Sequence, residues 1–177
     1  MTGSTDHFFT AFPTSGSGPG VLVLHPWWGL NPFIREFCQR LAAEGYIALA
    51  PDLYHGEIAA TIPEAERLRS KMGQKQAKAD LLAALDQLHQ LPGVAAHPIG
   101  VIGFSLGASF ALWLACERPQ NIGAVVVFYG TRSGEFTNSK ASFLGHFAET
   151  DEYESISRIK KLPRGPESIS DTDARLK

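Results

Sequence analysis

A pentapeptide that could carry covalent chemistry, GFSLG, occupies positions 103–107. It lies between an apolar segment at 99–103 and a segment at 106–117 with the pattern of a helix. A tight turn between a strand and a helix leaves room only for glycine on either side of the serine, and it holds the serine in a strained conformation with its hydroxyl exposed. A chance match is the alternative, because the pattern fixes only three positions. The strand-turn-helix setting favours the prediction that Ser105 is a nucleophile.

A serine nucleophile needs backbone N–H donors for the negative oxygen that develops during acyl transfer. In this arrangement the residue after the nucleophile, Leu106, supplies one donor at the positive end of its helix. The segment HPWWG at 25–29 follows an apolar run, and we predict that the N–H of Trp27 is the second donor. Because Trp27 and Trp28 are consecutive, we expect one ring to pack inward and the other to cover the pocket. Both could also be ordinary core or surface aromatics.

A carboxylate that could orient a catalytic histidine follows the last predicted strand. Asp151 comes after the apolar segment 142–147 and a short loop, at the carboxyl-terminal edge of the predicted sheet, where sites in open α/β sheets collect. Its position after Ser105 agrees with the chain order serine, acid, histidine expected for this type of site. A solvated acidic loop is one alternative, and nearby carboxylates are others: Glu149, Glu152 and Glu154. We predict that Asp151 is the acid.

Strands and helices that could position these residues alternate along the chain. Strands are predicted at 8–12, 21–24, 46–50, 99–103, 123–128 and 142–147. Helices are predicted between the cap Asn31 and the stop Gly45, from the capping box of Thr61 and Glu64, at 77–91 and at 106–117. The turn at 15–20 suits two neighbouring strands on its two sides. This alternation favours a mostly parallel sheet with helices on both faces.

Composition is typical of one soluble globular domain. Of 177 residues, 44% are hydrophobic and 19% charged, and 16 Lys plus Arg against 18 Asp plus Glu give a net charge of −2. We therefore expect no nucleic-acid partner. The apolar runs are shorter than the roughly 20 residues that span a bilayer, and the N-terminal sequence lacks the pattern of a signal peptide. We accordingly expect no membrane partner and a cytoplasmic location.

Cysteine, histidine and glycine spacing gives no sign of a cofactor. Cys38 and Cys116 fall in predicted helices, so we expect free thiols and no disulfide. No pair of Cys or His has metal-ligand spacing, and the sequence lacks a phosphate-binding GxxxxGK[ST] loop. We therefore predict no metal site and no phosphate-binding loop.

Four segments together carry a family resemblance. They are VLVLHPWWGLNPFIREFCQRLAAEGYIALAPDLYHG at 21–56, IGVIGFSLGASFALWLA at 99–115, AVVVFYG at 124–130 and SFLGHFAETDEYE at 142–154. The chain resembles the dienelactone hydrolase family of the α/β-hydrolases. The resemblance implies an α/β-hydrolase fold and hydrolysis of a carboxylic ester or lactone through an acyl-enzyme, without a cofactor. It matches Ser105 to the nucleophile, Asp151 to the acid, and the N–H groups of Trp27 and Leu106 to the oxyanion hole.

Three positions depart from the enzymes that give the family its name. Those enzymes have a cysteine where Ser105 stands, a glutamate where Pro26 stands, and a substrate-binding arginine after the PDLY segment, where this chain has His55. The resemblance is therefore to the serine-bearing relatives, and dienelactone itself is an unsafe substrate prediction. We predict substrate contacts for His25, Trp28, Tyr54 and His55, and a small-molecule ester or lactone as partner. The sequence does not fix the oligomeric state.

The catalytic histidine is the missing part of the pattern. The fold expects the catalytic base after the acid in the chain. All six histidines instead precede Asp151: His7, His25, His55, His89, His97 and His146. Residues 157–177 carry six Lys or Arg and three acids, and we expect a poorly ordered tail after a domain at 1–156. Our hypothesis is that the C-terminal strand and helix are missing through truncation or a shifted reading frame.

No other histidine is assigned as the base. His25 can approach Ser105, but we favour a role in which it bonds neighbouring backbone and holds the oxyanion loop. His146 is expected to pack beneath the site. The alternative to an ester or lactone hydrolase is therefore a non-catalytic α/β-hydrolase-like binding module or a defunct product.

Overall fold

The computed structural model describes residues 7–95, 98–134, 136–151 and 156–162. The strands are β1 (Phe8–Ala11), β2 (Gly20–Leu24), β3 (Ile47–Pro51), β4 (Ile99–Phe104), β5 (Ile122–Phe128) and β6 (Ser142–His146). The helices are α1 (Pro32–Ala43), α2 (Ile62–Lys71), α3 (Gln74–Gln90), α4 (Leu106–Glu117) and α5 (Ile156–Ile159). Every strand and helix predicted from the sequence is present, with ends that differ by three residues at most.

The strands form one sheet in the order β1-β3-β2-β4-β5-β6. All neighbouring pairs are parallel except β1 and β3, which are antiparallel. The mostly parallel α/β sheet is therefore confirmed. Parallel strands align their carboxyl ends, so the loops that follow β2 to β6 meet at one edge of the sheet.

The expectation that the first two strands are neighbours is wrong. β2 pairs with β3 on one side and with β4 on the other, which leaves no free edge for β1. The connection through α1 brings β3 beside β2, as a parallel crossover does. β1 instead pairs with the outer edge of β3, where Phe9 lies opposite Ala50.

Helices cover both faces of the sheet, as predicted. On one face α1 packs its buried Ile34, Cys38 and Ala42 against alternate residues of β2 and β3, including Val21 and Val23. On the other face α3 and α4 cover the intervening residues, including the fully buried Leu22 and Leu24. Burying a leucine side chain contributes roughly 2 kcal/mol to stability. Because successive residues of β2 point to opposite faces of the sheet, they stabilise the packing of the helices on both faces.

The two cysteines lie in helices, and no disulfide joins them in the described part of the chain. Cys38 is buried in α1, and burial raises the pKa of its thiol to about 12. Cys116 in α4 is partly buried, and desolvation raises its pKa as well. Thiolate is the reactive form, so neither environment favours reactive cysteine chemistry.

Local capping fixes where two helices begin, as the sequence predicts. Asn31 Oδ1 accepts the Ile34 N–H at 3.2 Å and starts α1. Thr61 and Glu64 form the predicted capping box at α2, in which Glu64 Oε2 accepts the Thr61 N–H at 3.1 Å. These bonds satisfy backbone donors that have no partner within the helix.

Replacing Thr61 with alanine is expected to lower the free energy of unfolding by about 1 kcal/mol, because the Glu64 N–H loses its side-chain acceptor. Urea denaturation of the purified chain measures this loss. Thr14→Ala is a matched control, since Thr14 is exposed in a loop and should leave the unfolding midpoint unchanged. Equal midpoints for both variants would show that this cap does not contribute to stability.

The C-terminal end of the described chain is partly packed. Residues 157–159 belong to α5, so the predicted boundary between domain and tail falls inside that helix. Leu162 is half-buried and packs against the large core cluster. The poor order of residues 157–177 stays a prediction, and residues 163–177 lie outside the described residues. Among the described residues, no helix combines the length and apolar character needed to cross a bilayer.

Candidate active site

The backbone at Ser105 has the strained geometry expected of a nucleophile turn. Its φ of 50° and ψ of −110° lie outside the regions that L-residues ordinarily occupy. Such a conformation costs on the order of 1–3 kcal/mol and persists only where surrounding contacts impose it. The Ser105 N–H donates to Phe128 O at 2.9 Å, and the Ser105 carbonyl accepts the Ala108 N–H at 3.0 Å. The end of β5 and the first turn of α4 therefore hold this residue on both sides.

Close backbone contacts explain the glycines around the serine. A Cβ on Gly103 would lie 2.5 Å from Gly107 O, and a Cβ on Gly107 would overlap Leu24 O. A third glycine that the sequence pattern does not include, Gly130, packs against the Ser105 carbonyl in the same way. The turn that carries Ser105 therefore packs closely against the ends of β2 and β5.

The two predicted oxyanion donors lie on segments that touch each other. Leu106 is the first residue of α4, so its N–H has no acceptor within the helix and lies at the positive end of the helix dipole. Trp27 lies in the turn closed by the Gly29 N–H to Pro26 O bond of 3.1 Å. The side chains of Trp27 and Leu106 pack against one cluster, formed by Tyr54, Ala59, Ala65 and Leu68.

The prediction that the two tryptophan rings diverge is wrong. Trp27 and Trp28 are both half-buried and both pack against the cluster of Tyr54, Ala59, Ala65 and Leu68. Their ring centroids are 5.4 Å apart in an edge-to-face arrangement. Because this segment is a tight turn rather than a strand, consecutive side chains do not alternate between opposite faces.

His25 lies beneath this turn and is fully buried. Its Nδ1 is 2.7 Å from Pro26 O, and its Nε2 accepts the Leu53 N–H at 3.1 Å. Burial lowers its pKa, partly opposed by the bond to Pro26 and the charge of Asp52. Both ring nitrogens are used within the protein, so the predicted substrate contact of His25 has no free polar atom in this conformation.

Asp52, which sequence reasoning missed, organises the loop after β3. Its Oδ1 accepts the Tyr54 N–H at 3.0 Å and its Oδ2 accepts the Gly56 N–H at 2.6 Å. A carboxylate that bonds the backbone two residues ahead is an Asx turn, for which the Asp in PDLY is the available sequence signal. This turn fixes the backbone that meets His25 at Leu53.

Two predicted substrate contacts, Tyr54 and His55, line a cavity of about 360 Å³. Tyr54 is 5% exposed, burial raises its pKa to about 12, and its hydroxyl has no hydrogen-bond partner among the described residues. His55 is exposed with a φ of 51°, and its Nε2 is 3.2 Å from Asp80 Oδ2. Its Nδ1 is 3.3 Å from His7 Nδ1. Ser105 is not among the residues that line this cavity.

Asp151 follows β6 at the sheet edge that also carries Ser105. β6 runs parallel to β5, and β5 runs parallel to β4, which leads into the serine. Asp151 is half-buried, whereas the rival Glu149 is exposed. The other two rivals, Glu152 and Glu154, lie outside the described residues.

The described histidines have partners other than the serine. His146 stacks on Phe128 with ring centroids 4.7 Å apart, and His89 Nδ1 is 2.9 Å from Leu85 O. With His25 and His55 placed as above, no hydrogen bond joins Ser105 to a histidine in the described part of the chain. His97 lies outside it. Within the same ranges, no three His, Cys, Asp or Glu side chains are grouped so as to hold a metal ion.

Comparison with known proteins gives one consistent family. The model of the dienelactone hydrolase family matches residues 7–165. Protein usf from Aquifex pyrophilus is 36% identical over 154 residues, which are 82% of this chain and 66% of that protein. A protein named "Putative carboxymethylenebutenolidase" from Aquifex aeolicus is 35% identical over 120 residues, 64% of this chain and 52% of that protein.

A solved structure shows the same relation. A "Putative Dienelactone Hydrolase" from Klebsiella pneumoniae superposes with a TM-score of 0.75 at 28% identity, covering 86% of this chain and 71% of that one. The chain spans about half to two thirds of the length of the two Aquifex relatives.

Proposed function

This chain belongs to the dienelactone hydrolase family, a hydrolase family of the α/β-hydrolase superfamily, and from that premise we propose that Ser105 cleaves a carboxylic ester or lactone through an acyl-enzyme. The observation that carries the proposal is the backbone of Ser105, held at φ 50° and ψ −110° between β4 and α4. Strain of this kind at the residue that the sequence pattern identifies supports a functional rather than a structural serine.

In the proposed reaction, Ser105 Oγ attacks the carbonyl carbon of the substrate and gives up its proton to a base. The carbonyl π electrons move to oxygen, and the N–H groups of Leu106 and Trp27 donate to the resulting oxyanion. Collapse of this intermediate breaks the bond to the alcohol oxygen, which takes a proton as it leaves. Water then attacks the acyl-serine by the same route and releases the acid.

The proposed base is a histidine whose imidazole Asp151 orients. Asp151 would accept a hydrogen bond from one ring nitrogen and leave the other to take the serine proton. No described histidine is hydrogen-bonded to Ser105, and none of the six histidines of the chain is assigned as the base. We further propose that Trp28, Tyr54 and His55 contact the substrate, because the loops that carry them follow β2 and β3 at the sheet edge where Ser105 follows β4.

Covalent trapping tests the nucleophile. Incubation with diethyl p-nitrophenyl phosphate should release p-nitrophenolate and leave a diethylphosphoryl group on the peptide that contains Ser105, as detected by mass spectrometry. The Ser109→Ala variant should be labelled like the parent chain, because Ser109 lies one turn further along the same helix. A label that persists in Ser105→Ala, or that maps to another residue, would contradict the proposal.

A further inference from the structure

We propose that His25 is a positioning residue that keeps the Trp27 N–H in the oxyanion hole, acting as a fixed imidazole bridge between the loop after β2 and the loop after β3. This inference rests on the proposed function, because it assigns a role within the same site. It concerns orientation alone, since neither ring nitrogen of His25 is free to touch a substrate.

The two hydrogen bonds of His25 fix its chemical form. The Leu53 N–H can only donate, so Nε2 must carry a lone pair. The Pro26 carbonyl can only accept, so Nδ1 must carry the hydrogen. Only the neutral ring with its hydrogen on Nδ1 satisfies both partners, and a second proton would break the bond to Leu53.

One end of the bridge closes the turn that carries Trp27. The Pro26 carbonyl accepts the Gly29 N–H at 3.1 Å as well as the bond from His25, so the same oxygen is held from two sides. At the far end of the turn, the Trp28 carbonyl accepts the Ala59 N–H at 3.0 Å. The peptide N–H of Trp27 lies between these anchored carbonyls.

The loop after β3 and the first turn of α4 also hold the segment around His25. Leu53 follows the Asx turn of Asp52, which has its own two backbone bonds. The carbonyls of Leu24 and His25 lie against Gly107 in the first turn of α4. The separation of the Trp27 and Leu106 N–H groups is therefore set by contacts on both sides of His25.

Substitution of His25 separates positioning from general stability. His25→Leu removes both bonds and leaves the Leu53 N–H buried without an acceptor, and we expect kcat for a p-nitrophenyl ester to fall about 100-fold with little change in KM. His25→Gln can keep an acceptor for Leu53 and should recover part of kcat. His89→Gln is the matched control, because His89 is an exposed histidine on α3 whose loss should leave kcat unchanged.

Two measurements test the His25 bridge without relying on enzyme activity. Nitrogen-15 NMR of the parent chain should show one neutral His25 ring with the hydrogen on Nδ1, and amide exchange at Trp27 should quicken in His25→Leu but not in His89→Gln. A ring with the hydrogen on Nε2, or unchanged Trp27 exchange, would overturn the inference. Absence of ester turnover in the parent chain would count against the proposed function alone.

Acid stability gives an independent check. Among the described residues, the ionisable groups that face the ring are the carboxylate of Asp52, which favours protonation, and Tyr54, whose ring centroid is 5.2 Å away. Burial nevertheless lowers the folded-state pKa of His25, so the unfolded chain takes up its proton first as pH falls. The free energy of unfolding should therefore decline below about pH 6.5, and that decline should be smaller in His25→Gln. Parallel profiles for the two proteins would contradict a buried neutral imidazole.

Discussion

Replacing Ser105 with alanine is expected to reduce hydrolysis of a short-chain p-nitrophenyl ester to the rate measured in buffer. The variant keeps the oxyanion donors of Leu106 and Trp27 but has no oxygen to form the acyl-enzyme. In a serine hydrolase, loss of the nucleophile or of the histidine alone lowers turnover about a million-fold, so the size of this drop depends on whether a base serves Ser105. The measurement is the initial rate of p-nitrophenolate release by parent and variant chains at equal concentration.

The control for this experiment lies on the same helix. Ser109 is half-buried in α4 and its N–H bonds the Ser105 carbonyl at 3.3 Å, so Ser109→Ala tests the effect of removing a nearby hydroxyl without removing the proposed nucleophile. Its rate should stay close to that of the parent chain. Equal rates for the parent chain and Ser105→Ala would contradict the proposal, and a non-catalytic binding role would then be favoured.

The parts of this fold that the sequence predicts well are those fixed by neighbours along the chain. The caps at Asn31 and Thr61 and the glycines around Ser105 act within a few residues, and each is found as predicted. Buried strands are recognisable because alternate residues of β2 must face apolar layers on both sides. Periodicity and local backbone chemistry are enough for these elements.

The features that the sequence did not reveal depend on distant partners. β1 pairs with β3 because both edges of β2 are occupied, a fact that no pattern near residues 15–20 contains. The bond from Leu53 to His25 joins residues 28 apart, so the sequence favours a backbone role for this histidine without identifying its second partner. The two tryptophans share one cluster because the turn that carries them bends back on itself.

The turn around Ser105 should tolerate an added methyl group poorly. Gly103→Ala places a Cβ 2.5 Å from Gly107 O and 2.7 Å from Ala108 Cα, and both of these atoms belong to the backbone of the first turn of α4. Backbone atoms cannot move aside as a flexible side chain can. We expect the free energy of unfolding to fall by about 3 kcal/mol.

A second glycine of the same strand makes the test specific. Gly100 lies three residues before Gly103 in β4, and a Cβ there would meet only ordinary contacts, the nearest being Val21 Cγ2 at 3.6 Å. Gly100→Ala should therefore leave the urea midpoint unchanged or raise it, because alanine loses less conformational freedom on folding. If both variants unfold at the same urea concentration, the first turn of α4 can move away from Gly103 without loss of stability. The strained geometry of Ser105 would then not be imposed by this contact.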